Sequence, residues 1–217
     1  MKNMKELHRT ADSQAHTCIK LCGLTRQSDI LAANELLPVY IGFVFARKSR
    51  RYLSAEKALA LKKILDPRVR AAGVFVDEDP MVIAGLLQNN IIDVVQLHGS
   101  EDESYIRRLR TLTDRPIFQA FRIRTKEDTG KAAASSADHI LLDAGAGTGT
   151  VFDWDLIRDI QRPFFLAGGL DPDNVRNAIR TLKPYGVDVS SGIETEGIKD
   201  KTKMAAFTAA VRKEDRL

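Results

Sequence analysis

Ile19-Lys20-Leu21-Cys22-Gly23-Leu24-Thr25 is the stretch from which the rest of the chain can be read. Ile19 to Cys22 has the make-up of a short buried strand, Gly23 suits a turn where the backbone comes close to a neighbour, and Thr25 is positioned to cap the next helix. The Cys22 thiol therefore falls at the carboxyl end of a strand. In parallel α/β folds that is the edge where ligands bind. A lone buried cysteine is ordinarily a small hydrophobe, so the position gains meaning only from what gathers around it.

Working outward, the same strand-then-helix unit recurs. The apolar residues Ile30, Leu31, Ala33, Leu36 and Leu37 follow a helical period until Pro38. Val39 to Phe45 is a continuous apolar run, as expected of a strand buried on both faces, and Ser54 opens a helix to Leu65. Val69 to Val76 is the third strand, and Asp79-Pro80 is a cap followed by proline at the first helical position, with the helix running to Asn89. Ile91 to Leu97 is a strand, Ser100 to Glu103 reads as a capping box for a helix ending near Leu112, and Pro116 to Ile123 is the next strand. A helix over Lys126 to Ser135 precedes a strand over His139 to Leu142, the glycine-rich loop Gly145 to Gly149, and a short helix over Trp154 to Ile160. Phe164 to Ala167 and Val187 to Val189 are the last strands, separated by a helix that Asp171-Pro172 caps, and Lys201 to Arg212 is the final helix.

Eight such units in 217 residues imply a single (β/α)8 barrel over 18–217. An open doubly wound sheet is disfavoured, because no Gly-x-Gly-x-x-Gly follows the first strand. Residues 1–17 are polar and mixed in charge, without the apolar core of a leader, and are expected to form a mobile extension. No apolar run approaches the roughly 20 residues of a membrane span, so a cytoplasmic, unanchored protein is expected. The net charge of +4 is spread among interspersed acids and bases, and only 6% of residues are aromatic. There is no basic helix face and no stacking platform for nucleic acid. Cys18 and Cys22 on one strand would be about 13 Å apart by rise, beyond the roughly 6.8 Å a disulfide tolerates. A reduced setting follows.

The carboxyl ends of the strands offer Cys22, the Arg47–Arg51 loop, Asp77, Gln96 with His98, Arg122, Asp143, Gly168-Gly169 and Ser190-Ser191-Gly192. Barrels often hold phosphate beyond strands seven and eight. Gly168 and Gly169 keep side chains away from the backbone amides there, and Ser190, Ser191 and Gly192 add hydroxyls and amides. A short helix after the last strand would contribute its dipole. Cys22 and Asp143 lie nearly across the barrel mouth from one another, which suits removal of a proton at one atom and delivery at another. A thiol needs positive charge nearby to ionise at neutral pH. Lys20 is about 6.6 Å earlier on the same strand face, and Asp188 on the neighbouring strand is the expected partner for its buried charge.

These residues carry a resemblance. Lys20-Leu21-Cys22-Gly23-Leu24-Thr25, Gly42-Phe43-Val44-Phe45 with Ser49-Arg50-Arg51-Tyr52, Gly73-Val74-Phe75-Val76 and Val95-Gln96-Leu97-His98-Gly99 resemble the phosphoribosylanthranilate isomerase family. So do Leu141-Leu142-Asp143, Gly147-Thr148-Gly149 with Phe152-Asp153-Trp154, Ala167-Gly168-Gly169-Leu170 and Val187 to Glu194, in order along the chain. The resemblance implies an Amadori rearrangement of N-(5-phosphoribosyl)anthranilate in tryptophan biosynthesis, without metal or organic cofactor. By that analogy Asp143 is the general acid, Cys22 as thiolate the general base, and Arg51 the holder of the anthranilate carboxylate. Gly168, Gly169, Ser190, Ser191 and Gly192 would hold the phosphate. His98 would be a wall or orienting residue, and Asp188 structural as much as substrate-binding. The segment between Asp143 and Phe152 looks shorter than is usual in that family, which bears on lid closure. The competing readings are a histidine-pathway-like phosphosugar isomerase, whose first strand resembles an aspartate arrangement where Cys22 stands, and a non-catalytic anion-binding barrel. His8, His16, His98 and His139 do not supply the metal ligands of an epimerase. The sequence leaves monomer and homodimer equally open.

Overall fold

The computed structural model describes residues 16–143, 154–158 and 160–216. Eight parallel strands close into a barrel in chain order, with the first hydrogen-bonded to the last. They are β1 (Cys18–Cys22), β2 (Tyr40–Val44), β3 (Arg70–Phe75), β4 (Val94–Leu97), β5 (Ile117–Arg122), β6 (His139–Asp143), β7 (Phe164–Ala167) and β8 (Gly186–Val189). The helices packed outside are α1 (Gln27–Leu36), α2 (Ala55–Lys63), α3 (Pro80–Gln88), α4 (Glu103–Arg110), α5 (Lys126–Ala134), α6 (Val175–Leu182) and α7 (Lys201–Glu214).

Alternation along each strand explains how one apolar run serves two environments. Ile19 and Leu21 face outward into the layer that the helices cover, while Lys20 and Cys22 face the barrel interior. The outer layer is continuous around the molecule and holds the fold together by apolar burial. Inside, the amino-terminal half is filled by Tyr40, Ala72, Val94, Phe118, Leu141 and Phe165. The Tyr40, Phe118 and Phe165 rings meet at 5.3 and 5.2 Å between centroids, and His139 stacks on Tyr185. Each such pair adds about 0.5–1.5 kcal/mol beyond its buried area. The barrel is thus plugged below by apolar and aromatic side chains.

Several helix starts differ from the sequence-based expectation, each for a local reason. Thr25 does not cap α1. The buried Asp29 carboxylate reaches back to the amides of Thr25 and Arg26 and pairs with the Arg26 guanidinium, making Arg26 the cap. Asp102 rather than Ser100 caps α4, because Glu101 turns inward to accept from the amides of Asp77 and Gly99. Asp171 stabilises a turn ahead of α6 by accepting from Asp173 and Asn174, so the helix begins three residues after Pro172. Ser54 and Asp79 cap α2 and α3 as expected.

Trp154–Leu156 is a single 3-10 turn, not a helix to Ile160. The glycine loop Gly145 to Gly149, and with it the length of the Asp143–Phe152 segment, lies outside the described residues. Most of the 1–17 extension lies there too. Thr17 is tied to the end of α7, its amide and hydroxyl donating to Asp215 at 2.9 and 2.7 Å. One element escapes sequence reading: a small antiparallel hairpin after β8, formed by β9 (Glu194–Thr195) and β10 (Ile198–Lys199). Glu196 and Gly197, both with positive φ, make its two-residue turn.

Candidate active site

Cys22 ends β1 on the interior face, beside Val44 and Val74, and is only 8% exposed. Its Cα partner across the strand pair is Gly42. A Cβ built on Gly42 would stand 2.6 Å from the Cys22 sulfur and 3.2 Å from the Lys20 ammonium, so thiol and ammonium share the space above this glycine. Lys20 is fully buried and donates to both oxygens of Asp188, at 2.9 and 3.0 Å. The pairing expected from strand periodicity is present, and the β1–β8 register places the two Cα atoms directly opposite each other. Both carboxylate oxygens of Asp188 accept from Lys20 in this ion pair. Cys18 and Cys22 are not joined by a disulfide.

The electrostatics of this corner are opposed. Burial works against the Lys20 charge, but Asp188 and Cys22 outweigh it and hold the ammonium above the usual lysine range. Burial pushes the Cys22 thiol up, and Asp188 adds to that; Lys20 and Lys199 pull it down without cancelling the rise. Lys20 therefore favours the thiolate, as strand proximity predicts, against the opposing effect of burial.

Asp143 ends β6, with Arg122 beside it on β5 at the rim. The His98 Nε2 is 3.5 Å from an Asp143 carboxylate oxygen, and its Nδ1 is 3.2 Å from the amide nitrogen of Gln96. Gln96 is buried inside the barrel on β4, and its side-chain oxygen Oε1 has no hydrogen-bond partner among the described residues. The structure thus brings His98 to Asp143, with Gln96 behind it.

Arg51 reaches the mouth by crossing Gly23, where a side chain on the glycine would collide with the arginine's Cδ. The positive φ of Gly23 also suits glycine alone. The Nε and Nη2 edge of the Arg51 fork donates to Glu194, at 2.6 and 2.8 Å. Arg50 donates to the same carboxylate at 3.0 Å, and Lys199 at 2.6 Å. Lys199 also donates to the Ser190 carbonyl at 2.7 Å and to its hydroxyl at 3.2 Å. Three cations thus surround one carboxylate. Burial acts to raise the Glu194 pKa, yet the hydrogen bonds from Arg51 and Lys199 hold it at about 2. Sequence reading grouped Glu194 with the phosphate loop and missed Lys199, which only the hairpin turn carries back beside Glu194.

The expected phosphate residues do converge. Gly168 and Gly169 follow β7 in left-handed backbone, and the Gly169 carbonyl accepts from the Asn174 side-chain amide at 2.8 Å. Gly192 lies against the Leu170 carbonyl with no room for a side chain, so the loops after β7 and β8 touch. Ser190 donates to the Cys22 carbonyl at 3.2 Å, joining this region to β1. The expected helix after β8 is a three-residue 3-10 turn, Ser191–Ile193, too short to supply a helix dipole. Among the described residues, no three His, Cys, Asp or Glu side chains gather as a metal would require, and no helix is long and apolar enough to cross a membrane.

The carboxyl ends of the strands therefore gather the Cys22 thiol, the Asp143–His98 pair, the cations around Glu194 and the glycine and serine residues that follow β7 and β8. A family model described as N-(5'phosphoribosyl)anthranilate (PRA) isomerase matches residues 19–210. The chain is 43% identical over 199 residues to the N-(5'-phosphoribosyl)anthranilate isomerase of Endomicrobium trichonymphae, covering 89% of this chain and 98% of that protein. Its fold matches the crystal structure of phosphoribosyl anthranilate isomerase from Thermotoga maritima with a TM-score of 0.83 at 36% identity, over 91% and 99% of the two chains. A structure of such an isomerase in complex with reduced 1-(o-carboxyphenylamino)-1-deoxyribulose 5-phosphate matches at a TM-score of 0.80 and 36% identity, over 91% and 98%.

Proposed function

The chain belongs to the phosphoribosylanthranilate isomerase family, and from that membership we propose that it converts N-(5-phosphoribosyl)anthranilate to 1-(2-carboxyphenylamino)-1-deoxyribulose 5-phosphate. The observation that carries this reading is the placement of Cys22 and Asp143 at the carboxyl ends of β1 and β6, on either side of one mouth that also holds Arg51 and Ser190.

Asp143 protonates the ribose ring oxygen, the C1–O bond breaks, and the anthranilate nitrogen supplies the electron pair of the resulting iminium. Cys22, as thiolate, takes the proton from C2, and the electrons of that bond flow into the iminium to give an enamine. Return of a proton to C1 and loss of one from the C2 hydroxyl complete the ketone, with no net change in protons. The iminium is the electron sink, so the chain's own residues need only move protons and hold anions. Burial of the thiol fits a base that must strip a carbon acid, because a poorly solvated sulfur anion is a stronger base, and Lys20 limits the cost of forming it. His98 stands where it can steady the Asp143 carboxylate once the proton has gone. Arg51 meets the anthranilate carboxylate, while Gly168, Gly169 and Ser190 to Gly192 receive the phosphate. In this role the protein works in tryptophan biosynthesis, in the cytoplasm.

The test is the loss of anthranilate-type fluorescence when protein is added to freshly formed phosphoribosylanthranilate. Cys22→Ser and Asp143→Asn each nearly abolish turnover with folding kept; an unchanged rate in either variant removes that residue from its role.

A further inference from the structure

Glu194 and Lys199 do more than neutralise each other. The Glu194 side chain is 3% exposed and collects Arg51, Arg50 and Lys199. Lys199 is equally buried and spans from that carboxylate to the carbonyl and hydroxyl of Ser190. Ser190 in turn donates to the Cys22 carbonyl. An unbroken chain of hydrogen bonds therefore runs from the guanidinium on the β2 loop, through Glu194 and Lys199, to the serine that follows β8. The hairpin turn at Glu196-Gly197 folds Lys199 back onto Glu194, so both ends of this bridge come from one rigid element.

We propose that Glu194 and Lys199 are positioning residues that fix the spacing between Arg51 and Ser190, and so select a substrate with two anionic ends of matching separation. The proposal rests on the reading of Arg51 as the carboxylate holder and Ser190 as part of the phosphate cradle. A guanidinium on a long side chain loses much rotamer freedom when it binds an anion. Bidentate pairing with a buried carboxylate meets that cost in the folded protein, leaving the other edge of the fork already oriented. The same carboxylate keeps these cations from repelling each other across the rim.

The experiment is a double-mutant cycle on the steady-state kinetics. Glu194→Gln is expected to raise KM for phosphoribosylanthranilate about tenfold, the scale of a hydrogen bond to a charged group, with kcat changed less than twofold. In an Arg51→Met background it is expected to raise KM no further. Lys199→Met is expected to weaken competitive inhibition by inorganic phosphate, and Lys199→Arg to restore part of it. Circular dichroism and thermal melting check folding. Should Glu194→Gln not fold, Glu194→Asp, which keeps the charge and withdraws it by one methylene, takes its place in the cycle. A KM increase of equal size with and without Arg51, a fall in kcat alone, or unaltered phosphate inhibition in Lys199→Met overturns the proposal and leaves the role of Arg51 standing. An unchanged KM in Arg51→Met removes that role and the proposal with it.

Discussion

Lys20 donates to both carboxylate oxygens of Asp188 at 2.9 and 3.0 Å, in the barrel interior and against the same glycine as the Cys22 sulfur. A pair this buried gains little over an apolar isostere, but breaking it strands a charge, at a cost of about 3–5 kcal/mol. Lys20→Met should therefore lower the melting temperature sharply, and Lys20→Met with Asp188→Leu should recover much of the loss. The thiol reports separately. Lys20 pulls the Cys22 pKa down, so Lys20→Met should move thiol titration to higher pH. Alkylation rate against pH, in a Cys18→Ser background, measures the shift; titration unmoved or shifted downward would show that Lys20 does not act on the thiol.

His98 and Asp143 should differ in rank. Removing a general acid costs about 10²–10⁴ in rate, whereas a partner 3.5 Å away that steadies the carboxylate contributes less. Asp143→Asn should thus reduce kcat by orders of magnitude and His98→Asn by about tenfold, the scale of one charge-assisted hydrogen bond. Gln96→Leu should fall below both in effect. If His98→Asn matched Asp143→Asn, the histidine would have to be assigned a proton-carrying role of its own.

The barrel was legible because its signals are short-range and repeated. Apolar runs such as Val39 to Phe45, followed by Ser54 or Asp79-Pro80, announce strand and helix without tertiary information. Strand periodicity alone put Lys20 beside Asp188. What stayed hidden depends on side chains that reach backward or across. Asp29 displaces Thr25 as the organiser of α1, and Glu101 leaves its helix to hold Asp77 and Gly99. The two-residue strands β9 and β10 are too short for any periodic signal, so the Lys199–Glu194 bridge had only Glu196-Gly197 as its trace. The desolvation of Cys22 likewise depends on its packing against Val44 and Val74.

Glu194 gives the rim a defined acid dependence. Its folded pKa of about 2 lies below the ordinary glutamate value of 4.5. Its contribution to stability is therefore complete above the unfolded value and lost as pH falls from about 4.5 toward 2. Glu194→Gln should be less stable than the parent at pH 7, with the gap in melting temperature narrowing over that acid window. A gap independent of pH would mean that the carboxylate's charge contributes nothing to the rim.

Two glycine-to-alanine changes should separate packing from chemistry. In α3, Gly85 has nothing within 4 Å of where a Cβ would stand, and alanine in a helix interior is favoured by about 0.5–1 kcal/mol. Gly85→Ala should raise the melting temperature by a few degrees and leave kcat alone. At Gly42 the same methyl group would press on the Cys22 sulfur at 2.6 Å and on the Lys20 ammonium at 3.2 Å. Neither can retreat easily, since Lys20 is tied to Asp188 and the thiol is backed by Val44 and Val74. Overpacking there should cost about 1–3 kcal/mol. A displacement near 1 Å of a reacting group can cost about 100-fold in rate, so Gly42→Ala should lose far more activity than stability. Melting curves and fluorescence-decay rates measured on the two variants decide the matter: a Gly42→Ala protein with parental kcat would place the working base somewhere other than the Cys22 sulfur.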